Sequence, residues 1–195
     1  MKVIAIAGSN RKGSSSTGLA KYIVAALRRQ GVQADLFDLH QDPLPFFSPD
    51  QLHDDHEGLH RLKRMTAAAD GIVLASPEYH GSISGVLKNA LDHLSQDYFN
   101  GKPVLSVTSS GGPVGVSSLT QMQAIVRNLH GVNCPEWISI SGEQSMLFAR
   151  EAAAYMPEHP ALDRVHGALH CFLDMLHRLR GQLNAESSDE RRFVR

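Results

Sequence analysis

Apolar residues along this chain follow two alternating rhythms. Lys2-Val3-Ile4-Ala5-Ile6-Ala7, Ile72-Val73-Leu74-Ala75 and Val104-Leu105-Ser106-Val107-Thr108 are nearly continuous runs rich in β-branched residues. Strands covered on both faces have this composition. Val32 to Leu39 alternates, as a strand nearer a sheet edge does, and Val132 to Ile140 reads as a fifth strand broken early by Pro135. Between the strands, apolar residues recur at helical spacing. The sets are Leu19, Ile23, Ala26 and Leu27; Leu59, Leu62, Met65 and Ala69; Val86, Leu87, Ala90, Leu91 and Leu94; and Leu119, Met122, Ile125, Val126 and Leu129. A short helix is predicted over Gln144–Tyr155, and a strong one through Leu162, Val165, Leu169, Phe172, Leu173, Leu176 and Leu179. Strands and helices in strict alternation predict a parallel sheet with helices on both faces. Residues 1–183 form one domain on this reading, and the charged residues 184–195 a disordered tail.

Composition narrows the function classes. The 195 residues suffice for one domain with a real core. A net charge of -1 supplies no basic field for nucleic acid and no polybasic patch for a membrane. It also speaks against a carrier that steers redox partners with a charged surface. No apolar run approaches the roughly 20 residues of a membrane span. The chain enters a strand at once, so no leader peptide is expected. Cys134 and Cys171 are too few for a disulfide framework and read as small buried hydrophobes. A cytoplasmic location is the expectation.

Three strand-to-helix loops carry the chemistry. Gly8 to Thr17 joins a buried strand to a helix N-terminus and is rich in glycine, hydroxyls and cations. Backbone N–H groups and the positive helix end favour an anion there, and Arg11 can add a charge-assisted contact. The loop lacks G-x-G-x-x-G spacing. Gly8 and Gly13 have Walker A spacing, but Ser14 and Ser15 stand where Lys and Ser/Thr belong. A monophosphate held by hydroxyls, amides and one arginine is one reading; an ordinary polar turn is the other. The second loop is Ser76-Pro77-Glu78-Tyr79-His80-Gly81-Ser82-Ile83-Ser84-Gly85, and the third Ser109-Ser110-Gly111-Gly112-Pro113-Val114-Gly115. All three follow strand C-termini, the rim where open α/β sheets bind ligands. Residues 40–58 form a long loop whose Phe46 and Phe47 either cover a planar ligand or plug the core. His53, His56 and His60 share helical spacing but show no fixed surroundings, so no metal is expected.

Together these loops resemble the NADPH-dependent FMN reductase family, whose members include small bacterial quinone, chromate and azo-dye reductases. The resemblance rests on Gly8-Ser9-x-Arg11-x-x-Ser, on Ser76-Pro77-Glu78-Tyr79-His80 followed by Ser84-Gly85-x-Leu87-Lys88-Asn89-Ala90-Leu91-Asp92, and on Gly101-Lys102-Pro103-Val104. It implies a flavodoxin-like three-layer sandwich around a five-stranded parallel sheet of order 2-1-3-4-5. It implies bound FMN, with NADPH or NADH as co-substrate. Ser9, Arg11, Ser15, Ser16 and Thr17 are then candidates for the FMN phosphate. Pro77, Glu78, Tyr79 and His80 would wrap the ring system, and Ser109, Gly111 and Gly112 would meet its other edge. Glu78 either caps its loop or meets substrate, Tyr79 packs on the ring, and His80 is a rim group or solvated. No protein acid or base is required, since the cofactor carries the chemistry. The implied reaction is ping-pong hydride transfer from NAD(P)H to FMN and on to a quinone, azo compound, metal oxyanion or free flavin. The alternative is a flavodoxin-like electron carrier or redox-sensing module. Such reductases are commonly homodimers or homotetramers, and the Pro43–Pro49 loop and the Val86–Leu94 helix are the interface candidates.

Overall fold

The computed structural model describes residues 1–51, 53–112, 115–148 and 159–189, with side chains to residue 179. Elements follow in the predicted order: β1 (Lys2–Ala7), α1 (Ser15–Arg29), β2 (Gln33–Asp38), α2 (Glu57–Ala68), β3 (Gly71–Pro77) and α3 (Gly85–Asp92). Then come β4 (Pro103–Ser109), α4 (Val116–Asn128), β5 (Val132–Asn133), β6 (Ile138–Ile140), α5 (Ser145–Phe148) and α6 (Pro160–Asp189). The sheet is parallel, in the order β2-β1-β3-β4-β5, and β6 also pairs with β4. This is a flavodoxin-like α/β sandwich.

Successive strand residues point to opposite faces, and two cores result. Val3, Ala5, Ala7, Val73, Ala75, Leu105 and Val107 pack with α1, α5 and α6. Ile4, Ile6, Ile72, Leu74 and Val104 pack with α2, α3 and α4. Below the sheet, half-buried Lys102 donates through Nζ to the carbonyls of Thr66 (2.8 Å) and Ala67 (3.1 Å) at the α2 C-terminus. Burial lowers its pKa, and the nearby Asp70 charge opposes that.

The structure adds detail to four expectations. The fifth strand is two fragments, because the Cys134 N–H continues the ladder to Val104 but Pro135 has none to give. Trp137 lies in the break and is 39% exposed. Of the helix predicted over Gln144–Tyr155, Ser145–Phe148 is described as helix, and residues 149–158 lie outside the described set. With no proline after Pro160, α6 runs through residues 184–189 of the expected tail; residues 190–195 lie outside the described set. Finally, in the Val86–Leu94 helix, an interface candidate, Leu87, Ala90, Leu91 and Leu94 cover the chain's own core, while Lys88 and Asp92 face outward. Among the described residues no helix is long and apolar enough to cross a membrane.

Cys134 is buried and Cys171 half-buried, with sulfurs 3.8 Å apart. Desolvation pushes the Cys134 thiol up to about 12, so it behaves as an apolar side chain.

Candidate functional site

The loops after β1, β3 and β4 meet along the C-terminal rim, because those strands are neighbours in the sheet. Hydrogen bonds join them directly. Gly8 donates its N–H to the Ala75 carbonyl (2.7 Å), and Ser84 Oγ donates to the Gly8 carbonyl. The same Ser84 hydroxyl accepts from Leu87 N (3.1 Å) and so caps α3. Gly8 is required by this crowding: a Cβ there would stand 2.6 Å from Leu87 Cβ and 2.9 Å from the Ala75 carbonyl oxygen.

In the first loop Ser9, Ser16 and Thr17 are buried, Ser15 is half-buried and Arg11 is exposed. Ser9 Oγ accepts from the Arg11 N–H (3.2 Å), and the Ser14 and Ser16 hydroxyls bond each other (2.9 Å). Two groups are left over. Ser14, the N-cap of α1, makes no side-chain cap bond, so the first-turn N–H groups of α1 lack the acceptor that His56 gives α2 and Ser84 gives α3. Among the described residues Thr17 Oγ1, which is buried, finds no hydrogen-bond partner. Leaving a hydroxyl so costs about 1–3 kcal/mol. Both groups gain partners if an anion sits at the loop.

The second loop opens with Glu78 N donating to the Ser109 carbonyl (2.9 Å), which ties it to the end of β4. Tyr79 and Ser82 exchange both backbone bonds (2.9 and 3.0 Å) across His80 and Gly81, whose φ values are +52° and +70°. Positive φ at both central residues marks a type I′ turn. Gln121 of α4 clamps it, accepting from Ser82 Oγ (2.8 Å) and donating to the Gly81 carbonyl (3.1 Å). The Glu78 carboxylate faces the protein: Oε2 accepts from both the N–H and the hydroxyl of Ser118, each at 2.9 Å, and so caps α4. That is the capping reading of Glu78. The α4 N-terminus, which points at the rim, already holds a carboxylate. Pro77 is buried, while Tyr79 and His80 are exposed at the rim.

Ser109 is half-buried at the start of the third loop. Ser110 donates its N–H to the Ile140 carbonyl (3.1 Å) and its hydroxyl to the Gly112 carbonyl (2.9 Å). Gly111 and Gly112 are exposed, and among the described atoms nothing lies within 4 Å of where a Cβ would be. Flat matter can approach this backbone closely.

The long loop after β2 is pinned to α3. Asn89 donates to the Pro45 carbonyl and accepts from Phe47 N (both 2.8 Å), and His93 Nε2 bonds the same Pro45 carbonyl (2.9 Å). Neither phenylalanine plugs the core: Phe46 is 88% exposed, and Phe47 packs edge-on against His93. The three histidines hold backbone. His53 bonds the Phe46 carbonyl (3.2 Å), His56 caps α2 at Leu59 N (3.1 Å), and His60 bonds the Asp54 carbonyl (2.6 Å). No group of three metal-ligating side chains occurs among the described residues.

Ser84, Ser118, Gln121 and Asn89 organise this rim, yet sequence reasoning passed over them as site residues. Ser84 had a signal, a serine three residues before Leu87 at a helix start. The others face partners some 40 residues away, which no local pattern encodes.

Residues 1–145 match the family described as NADPH-dependent FMN reductase. An FMN-dependent NADPH-azoreductase of Staphylococcus aureus is 38% identical over 143 residues, covering 71% of this chain and 76% of that protein. Among solved structures, the apo form of the NADH:FMN oxidoreductase EMOB aligns with a TM-score of 0.69 at 22% identity, covering 91% of this chain and 89% of that one. FerB, an NAD(P)H:(acceptor) oxidoreductase from Paracoccus denitrificans, aligns with the same score and identity over 91% and 97%. The two structures speak for the fold.

Proposed function

Because the chain belongs to the NADPH-dependent FMN reductase family, whose enzymes use FMN and NAD(P)H, we propose that it is a ping-pong reductase of small electron acceptors. The acceptors proposed are azo compounds and quinones, with metal oxyanions and free flavin as further members of the class. One observation carries the assignment of the cofactor's position: the uncapped start of α1 beside the unpartnered, buried Thr17 hydroxyl. A phosphate monoester supplies acceptors to both.

Ser9, Arg11, Ser15, Ser16 and Thr17 would hold the phosphate. The ring system would lie between the second and third loops, with Pro77, Glu78, Tyr79 and His80 along one edge and Ser109, Gly111 and Gly112 along the other. Glu78 contributes through its backbone, since its carboxylate caps α4. The chemistry supplied with FMN in place is acceptance of a hydride from NADPH or NADH and its return to the acceptor. The chain's own part is to bind, orient and leave one face open; the pinned second turn and the bare Gly111-Gly112 backbone suit those tasks.

The test compares FMN content and NADPH or NADH oxidation in wild type, Arg11→Ala and Thr17→Val. The expected result is strongly reduced FMN retention with an unchanged circular dichroism spectrum. Full retention in both variants would move the phosphate elsewhere.

We also read the working form as a homodimer or homotetramer in the cytoplasm. Support for the assembly comes from Phe46, an aromatic exposed on a loop bonded to Asn89 and His93. Phe46→Ser should shift sedimentation towards a smaller species; an unchanged profile would place the interface on another surface.

A further inference from the structure

We propose that His40 is a positioning residue for the phosphate loop, holding the peptide that presents Arg11. The inference rests on the phosphate reading above. Residues 10–13 form the crest of the first loop, which bears Arg11 and Lys12. His40 Nδ1 donates to the Asn10 carbonyl at 3.0 Å, from 30 residues away. Among the described residues no other side chain outside the loop bonds this crest.

The Asn10 carbonyl and the Arg11 N–H belong to one planar peptide unit. His40 holds the oxygen of that unit, and Ser9 Oγ holds its N–H at 3.2 Å. A peptide gripped on both sides has little freedom to rotate, and its orientation sets the direction in which Arg11 leaves the chain. Since a carbonyl only accepts, Nδ1 carries the proton whether the ring is neutral or an imidazolium. The grip therefore needs no charge on His40.

The grip is anchored in turn. Buried Asp38 accepts the His40 N–H through Oδ1 (3.1 Å), and its carbonyl accepts from Gln41 N (3.0 Å) and Asp42 N (2.9 Å). Asp42 pairs with Arg61 of α2, whose guanidinium lies 5.0 Å from the Phe37 ring centroid. Leu39 N bonds the Ala7 carbonyl (3.1 Å), which carries the β2 side of the sheet up to the level of the first loop. His40 thus ties the crest to β2 and α2, adding to the hold that Ser9 gives it from within the loop. Pre-orienting Arg11 removes part of the ordering cost of binding.

Equilibrium dialysis of the full chain against FMN and against riboflavin, which lacks the phosphate, tests this. His40→Ala should weaken FMN binding about fivefold, the scale of one hydrogen bond, and leave riboflavin binding unchanged. His40→Asn, whose amide can donate from nearly the Nδ1 position, should restore most of the loss. Equal FMN and riboflavin affinities in wild type would defeat the phosphate reading and this proposal with it. A wild-type preference for FMN that survives His40→Ala intact would defeat the proposal alone. So would equal weakening of both flavins.

Discussion

The Glu78 carboxylate is engaged by the protein itself. It stands at the N-terminus of α4, where a negative charge is favoured, and accepts two bonds from Ser118. Glu78→Gln keeps an acceptor but loses the charge, so a stability loss of about 1 kcal/mol is expected. Glu78→Ala removes the link and should also loosen the second loop, lowering FMN retention. Thermal melts of both variants, with and without FMN, check this; melting equal to wild type would mean that Ser118 finds another acceptor. Thr17 shows the opposite arrangement, a buried hydroxyl with no partner among the described residues. Binding proteins carry such debts where a ligand settles them.

At the scale of elements, strand and helix order, the three rim loops and the helical stripes were all legible, because periodicity and glycine-serine loops are local signals. What escaped is tertiary. No pattern near Glu78 announces Ser118, and none near His40 announces Asn10. The Val86–Leu94 helix was an interface candidate because a core face and a docking face look alike in one dimension; burial places its apolar stripe in the core. Pro135 announced an interruption but not that two fragments would both pair with β4. Lys102 illustrates the same limit. It stood in the Gly101-Lys102-Pro103-Val104 stretch that carries the resemblance, and nothing there announces that its ammonium satisfies two carbonyls at the α2 C-terminus. Lys102→Met should therefore destabilise the chain by about 1–2 kcal/mol, measured by urea unfolding, with FMN affinity unchanged because α2 ends opposite the rim.

For the whole molecule, one buried thiol contributes to the pH dependence of stability in alkali, and the Tyr22 phenol, also raised by burial, acts in the same sense. Cys134 is raised from 9.0 to about 12 in the folded chain. Above pH 9 the unfolded state releases this proton first and binds fewer protons than the native state. The thiol's contribution to stability is therefore lost as pH climbs from about 9 towards 12. Lys102, with its lowered pKa, acts in the opposite direction at high pH. Cys134→Ala isolates the thiol's share: its unfolding free energy should decline less steeply over that range. Parallel declines for variant and wild type would show that the thiol's burial does not govern the slope.

A parallel sheet ends in two borders, and an open border invites a neighbour's strand. Here one border is β2, where Arg28 covers the Ala34 carbonyl (2.7 Å) and pairs with Asp35 (3.3 Å). The other is the broken pair β5 and β6, too short and too interrupted at Pro135 to template a long ladder. The break that cost the molecule a regular fifth strand thus guards it against fibrillar stacking when it is crowded with copies of itself.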